Sequence, residues 1–258
     1  MSIEHECDLF LFSSHSAYSV NRSLEEFAVK GARNINGWGI GYYIDGKARV
    51  VRTNDSALSF GGGISDGFRY SCNVIESKTV LGHLRLSSAG DNRIANNHPF
   101  KLNFLGYDWL FIHNGTAQKR DLVTYENQII FESNSDSPRV FEFLSYRIID
   151  YLSSKPKGSL IEAVRSAFSD LLTVDPNGKF NIIMSNGHIT FVLIHWRDFY
   201  LYKNEKGNGD TLRLSTLPID ERLNMSYEQL HFNKLQGKKA KMLVINGNSL
   251  IFNGDIPK

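Results

Sequence analysis

Apolar residues in this chain fall in short clusters, and the clusters carry two different periods. Trp109-Leu-Phe-Ile-His-Asn-Gly115 sets bulky apolar residues side by side, which predicts a strand buried on both faces that stops at an Asn-Gly turn. Cys7-Asp-Leu-Phe-Leu-Phe12 and Thr79-Val-Leu-Gly-His-Leu-Arg-Leu86 predict further strands. Asn36-Gly-Trp-Gly-Ile-Gly-Tyr-Tyr43 and Ala48-Arg-Val-Val-Arg52 flank Asp45-Gly46, a strong hairpin signal. The run 102–106 precedes the 109–115 strand too closely for a crossover helix, so the two predict an antiparallel pair. Beyond residue 179 the pattern is again strand and turn, over 180–185, 189–196, 199–202, 212–216, 241–245 and 249–252, with Asn186-Gly187 and Asn246-Gly247 as turns.

Helical spacing appears in between. Val140, Phe143, Leu144, Ile148, Tyr151 and Leu152 share one face of a helix that Ser137 caps and Pro138 starts. Ser159-Leu-Ile-Glu162 is a capping box that opens a helix to about residue 172, and Ser23-Leu-Glu-Glu26 opens a short one to about residue 33. Strands, two adjacent amphipathic helices, then strands predict an α+β fold. Two antiparallel sheets pack face to face, with the helices as an antiparallel pair outside. No repeat, low-complexity tract or linker divides the chain, so a single domain is expected.

Composition alters this picture little. The 258 residues are 41% hydrophobic and 22% charged, those of an ordinary globular protein. A net charge of +2 gives no field for nucleic acid, and Lys234, Lys238, Lys239 and Lys241 read as a solvated turn and strand edge. No apolar run approaches the roughly 20 residues of a membrane span. The first residues, Met-Ser-Ile-Glu-His-Glu, lack a signal peptide's apolar segment, so a cytoplasmic location is expected. Cys7 and Cys72 form no disulfide framework there. No metal-ligand spacing and no phosphate-binding glycine loop appears, so neither metal nor cofactor is expected; Gly61-Gly62-Gly63 reads as a loop.

Chemistry enters at a few positions. Asn114 and Gly115 set a side-chain amide beside a main-chain N–H at the mouth of a buried strand, an arrangement that suits an oxyanion hole or an ordinary turn. His83 and Arg85 are two residues apart in a strand and share a face. Arg85 in so apolar a run requires either a protein carboxylate or a ligand's anion. Cys7 opens its strand as either a small buried residue or a thiol held for reaction.

Taken together and in order, Cys7, Asn36-Gly-Trp-Gly39, Gly82-His-Leu-Arg85 with Ser88, His98-Pro-Phe100, His113-Asn-Gly115 and Ser135-Asp-Ser137 resemble the class II glutamine amidotransferase domain. That domain is an N-terminal-nucleophile hydrolase, and the likeness, nearest to its stand-alone members, covers almost the whole chain. It implies a four-layer αββα sandwich over residues 7–258. It also implies an N-terminal cysteine thiolate at Cys7 that attacks the γ-amide of glutamine or a γ-glutamyl compound. The α-amine of the same residue is then the base, with an ordinary pKa near 7.7–8.0. Asn114 and Gly115 are implied as the oxyanion hole, Arg85 and Ser88 as the α-carboxylate site, and Asp136 as the ammonium site, though Asp136 could equally be a helix cap. Trp38 and Gly39 are implied as pocket lining, whereas His98 and His113 are assigned structural parts and Cys72 none.

Residues 1–6 depart from the pattern by preceding the nucleophile. They are read as a leader removed by the protein itself. A chain that keeps them has an amide in place of the base, and would serve instead as a non-catalytic glutamyl-binding regulator. The expected partner is a small glutamyl molecule; a partner subunit or homo-oligomer is compatible with the resemblance.

Overall fold

The structure, a computed structural model, describes residues 6–87, 91–119, 121–122, 132–203, 211–219, 227–230 and 240–257. Its first sheet comprises β1 (Asp8–Ser19), β2 (Trp38–Ile44), β3 (Lys47–Thr53), β4 (Glu76–Leu84), β9 (Phe199–Lys203), β10 (Thr211–Ser215) and β11 (Tyr227–Leu230), ordered β11-β9-β10-β1-β4-β2-β3. The second comprises β5 (Phe100–Phe104), β6 (Tyr107–Thr116), β7 (Lys179–Ser185), β8 (Thr190–Ile194), β12 (Lys241–Asn246) and β13 (Ser249–Asp255), ordered β13-β12-β8-β7-β6-β5. Neighbouring strands in both sheets run antiparallel.

Strand alternation builds the layers. Leu9, Leu11 and Leu81 point inward, against Leu110, Ile112 and Ile183 of the second sheet. Their neighbours Phe10, Phe12 and Val80 point outward, beneath α1 (Asn21–Lys30) and α2 (Asp66–Val74), where Leu24, Phe27 and Phe68 meet them. On the far side Trp109 and Phe111 pack under α3 (Ser137–Ser154) and α4 (Leu160–Val174), against Phe141, Leu144 and Phe168. The result is the expected helix–sheet–sheet–helix sandwich. β6 is buried on both faces because a sheet lies on one side of it and α3 on the other.

Four local expectations are corrected. β6 does not stop at an Asn114-Gly115 turn: both residues stay in the strand, paired with Asn181 and Phe180 of β7, and the strand runs on to Thr116. The helix expected to start at a Ser23–Glu26 box starts earlier, at Asn21, with both box residues buried inside it; the Ser23 hydroxyl accepts from Arg213 Nε at 2.8 Å instead. The stretch around Cys72, for which the sequence pattern predicts no element, is α2, capped by Ser65 Oγ accepting from Phe68 N at 3.4 Å. Its buried face is only Phe68, Ser71 and Cys72, too short and too polar a stripe to stand out. Ser137 does not cap α3; the N-cap position is Asp136, without a side-chain cap bond. The Ser159–Glu162 capping box forms as expected. No helix among the described residues is long and apolar enough to cross a membrane.

Candidate active site

Cys7 lies immediately ahead of β1, where that strand and β4 end side by side. Its Sγ donates to the Leu86 carbonyl at 3.2 Å and receives the Leu86 N–H at 3.3 Å. Burial is the main influence on the thiol and pushes its pKa up to about 12; the Leu86 contact and Arg85 oppose this, and Asp8 and Glu6 add to it. In this state the sulfur is a protonated, pinned thiol.

The residue's main chain is held equally firmly. Asn114, at the end of β6, donates its Nδ2 to the Cys7 carbonyl, which also accepts from Arg197 Nη1 at 3.2 Å. Arg197 pairs with the buried Asp8 carboxylate at 3.2 Å. Asp8 accepts in addition from Asn34 Nδ2 at 2.7 Å and from Thr216 Oγ1 at 2.9 Å. The same Asn34 nitrogen lies 3.3 Å from the Glu6 carbonyl, so both neighbours of Cys7 are tied to one amide. Asp8, Asn34 and Arg197 were missed in the sequence. The available signal was Asp8, a carboxylate inside an apolar strand, which demands a partner by the logic applied to Arg85.

Cys7 opens into a cavity of about 30 Å³ whose walls include His83, Arg85, Asn96, His98, Gly115 and Asp136. The structure thus brings Cys7, Arg85, Gly115 and Asp136 to one place. Asn114 stands behind that wall, fully buried, and reaches the site through the Cys7 carbonyl. Arg85 is buried, and its guanidinium donates to Ser87 Oγ at 3.2 Å, the Asp91 carbonyl at 3.1 Å and Asn92 Oδ1 at 3.3 Å. Burial lowers its pKa from the usual value. Asp136 accepts the Ala117 N–H at 2.6 Å through Oδ2. Gly115 adopts φ +134°, and a Cβ there would overlap the Lys179 carbonyl, so the wall needs glycine.

Two expected pocket residues sit elsewhere. Trp38 is buried in the outer core, edge-on to Phe68 with ring centroids 5.0 Å apart, and does not line the cavity. Its strand position faces α2, because the side chains of β2 alternate between the helices and the opposite sheet. Gly39 touches the site only through its neighbour: a Cβ would run into the His98 carbonyl. Ser88 lies outside the described residues, as do residues 1–5 of the expected leader and Lys234, Lys238 and Lys239. His113 lines the cavity as well, its Nδ1 3.0 Å from Ser137 Oγ and its Nε2 3.1 Å from the Lys179 carbonyl.

Comparison with known proteins agrees with this fold. Residues 6–252 match the family described as glutamine amidotransferases class-II. The chain belongs to that family. An uncharacterized protein of Methanocaldococcus jannaschii, MJ1515, is 28% identical over 235 residues, covering 88% of this chain and 59% of its own. A Haemophilus influenzae relative is 30% identical over 156 residues, 59% of this chain and 49% of its own. The chain therefore spans about half to three-fifths of the length of these curated relatives. Glutamine phosphoribosylpyrophosphate amidotransferase from B. subtilis shares the fold at a TM-score of 0.67 and 16% identity, over 97% of this chain and 49% of that one.

Proposed function

We propose that this protein hydrolyses the γ-amide of glutamine, or of a γ-glutamyl compound, through a γ-glutamyl thioester on Cys7, as a single domain over residues 7–258. The observation that carries the reading is that a cysteine, an arginine and an aspartate from three distant segments line one cavity. In this reading Arg85 takes the substrate's α-carboxylate and Asp136 its ammonium, opposite charges set to match the ends of a glutamyl group. Attack by sulfur on the carbonyl carbon of the γ-amide, its proton passing to the α-amine, gives a tetrahedral intermediate. The Gly115 N–H and the second hydrogen of the Asn114 amide, whose first is given to Cys7, stabilise its oxyanion. Collapse expels the amine, and water then releases glutamate and the thiol.

Two changes must precede turnover. Residues 1–6 have to leave, because the α-nitrogen of Cys7 is an amide while they remain, and the freed amine is then the base near working pH. Arg85 must also change partners: it is engaged by Ser87 Oγ, the Asp91 carbonyl and Asn92 Oδ1, so it takes a glutamyl α-carboxylate only by exchanging those contacts. A cytoplasmic setting suits an unpaired reactive thiol. One observation favours the alternative of a non-catalytic glutamyl binder that keeps its leader: the pinned, protonated Cys7 thiol. Intact mass spectrometry joined to a glutamate-release assay separates the two. A chain beginning at Cys7 that releases glutamate, and loses this in Cys7→Ala, supports the enzyme. A full-length chain that binds glutamine without turnover overturns it.

A further inference from the structure

His83 and His98 form a close, tilted pair in the wall of the Cys7 cavity, ring centroids 4.2 Å apart and planes at 34°, only 1% and 5% exposed. None of their ring nitrogens has a hydrogen-bond partner among the described residues. The His113 main chain lies near enough to His83 to raise its pKa slightly, but outside hydrogen-bond geometry; His98 has no such neighbour. Buried polar atoms left unpaired are costly and uncommon, so a pair of them facing a cavity marks a place where a ligand's polar atoms belong.

Most other side-chain acceptors of the wall already have partners. Asn96 Oδ1 receives Ser133 Oγ at 2.8 Å and the Asn134 N–H at 3.0 Å. Ser135 Oγ is 2.8 Å from Ser133 Oγ, Ser137 Oγ holds His113, and the Leu86 carbonyl receives the thiol. Asp136 already accepts the Ala117 N–H. Arg85 offers donors alone, as does the Gly115 N–H. A carboxamide entering this cavity brings N–H groups that need acceptors; with the remaining capacity of Asp136 assigned to the ammonium, the two imidazoles are the neutral acceptors without partners among the lining residues. Burial keeps both neutral, His83 down to about 3 and His98 well below its usual range, so each retains one lone pair.

We propose that His98, backed by His83, accepts a hydrogen bond from the N–H of the scissile amide and so reads the leaving side of the bond. The inference rests on the γ-glutamyl amide reading of the cavity, and it gives His98 a substrate contact in place of a structural part. A neutral acceptor there favours amides over esters, which have no N–H to give.

The test compares glutamate release from L-glutamine and from the γ-methyl ester of glutamate, using wild type, His98→Phe and His98→Gln. His98→Phe should lower kcat/KM for the amide by about tenfold or more and leave the ester nearly unchanged. His98→Gln, which restores an acceptor, should recover much of the loss. Equal losses on both substrates, or none on either, would overturn the inference while leaving the hydrolase reading intact. Thermal melting of each variant separates misfolding from a lost contact, and ester turnover by His98→Phe shows directly that its site is assembled. If wild type releases glutamate from neither substrate, the hydrolase reading fails and this inference with it.

Discussion

Asn114 donates its side-chain amide to the main-chain carbonyl of Cys7, joining the end of β6 to the residue before β1 across 107 positions of sequence. The bond fixes Cys7 against the strand whose end forms the cavity wall. Asn114→Ala removes it together with the proposed oxyanion donor. Loss of such a donor lowers kcat by about 100- to 1,000-fold. The stability cost should be small, about 1 kcal/mol, since Arg197 still serves the Cys7 carbonyl and the variant also deletes the unpartnered Asn114 Oδ1. Steady-state kinetics beside a denaturant melt measures both. A large melt shift with kcat unchanged would reduce Asn114 to scaffolding.

Gly115 is more demanding than its neighbour. Gly115→Ala meets a positive φ and the Lys179 carbonyl together, so β6 and β7 must separate locally. A loss of about 1–3 kcal/mol is expected from the backbone alone, with activity falling further because the wall moves. Unfolding in urea and glutamate release report the two effects. An alanine variant as stable and active as wild type would show that the N–H at this position has no special place.

The sandwich was legible in the sequence because its strands are buried on two faces and its hairpins carry Asp-Gly and Asn-Gly turns. The site was legible only in part. Arg85 stands out as a charge in an apolar run and Asn114-Gly115 as an amide beside a glycine at the mouth of a buried strand, whereas Asp136 is singled out only by the family resemblance. Asp8, Asn34 and Arg197 act through tertiary contacts among residues distant in sequence, which no local pattern encodes. The Ser23 box failed for a related reason: its hydroxyl found Arg213, a partner from β10, and tertiary structure overrode the cap. Trp38 misled because a motif fixes a strand, whereas strand alternation decides which face its side chain takes.

The Cys7 thiol should react slowly while the leader remains. With its pKa pushed up to about 12, the thiolate fraction, and with it the alkylation rate, rises about tenfold per pH unit across the neutral and mildly alkaline range. Removing residues 1–6 puts an α-ammonium beside the sulfur and takes Glu6 away. Both changes lower the thiol pKa. Iodoacetamide labelling followed by peptide mass spectrometry should therefore find the processed form many times faster at neutral pH. Equal rates for the two forms would separate the leader from the state of the thiol.

Stability should fall in acid through the two imidazoles. Both have folded pKa values below 6.5, His83 at about 3, so between that range and 6.5 the unfolded chain binds more protons than the folded one. The stability they retain above about pH 6.5 is lost as the pH drops toward 3, at up to about 1.4 kcal/mol per pH unit for each histidine. Melting temperatures taken from neutral pH down to about pH 5 should decline, and His98→Phe should flatten the slope. A variant that declines as steeply as wild type would assign the acid sensitivity to other groups.

Arg197 tests whether the network around Cys7 supports the site or only the fold. Its guanidinium joins the Asp8 carboxylate to the Cys7 carbonyl, and Asp8 is fully buried. Arg197→Ala strips that carboxylate of its cation but leaves Asn34 and Thr216 as donors. Cutting one partner from a buried pair costs about 3–5 kcal/mol, and the remaining donors and the partial exposure of Arg197 place this case at or below the lower end. Both contacts are made by one nitrogen, Nη1, which the planar guanidinium aims between the two acceptors. A Lys substitution keeps the charge but not that aim, so Arg197→Lys should regain stability more fully than kcat. If Lys restores both equally, charge alone suffices; if it restores neither, the aim of the guanidinium holds Cys7 in place.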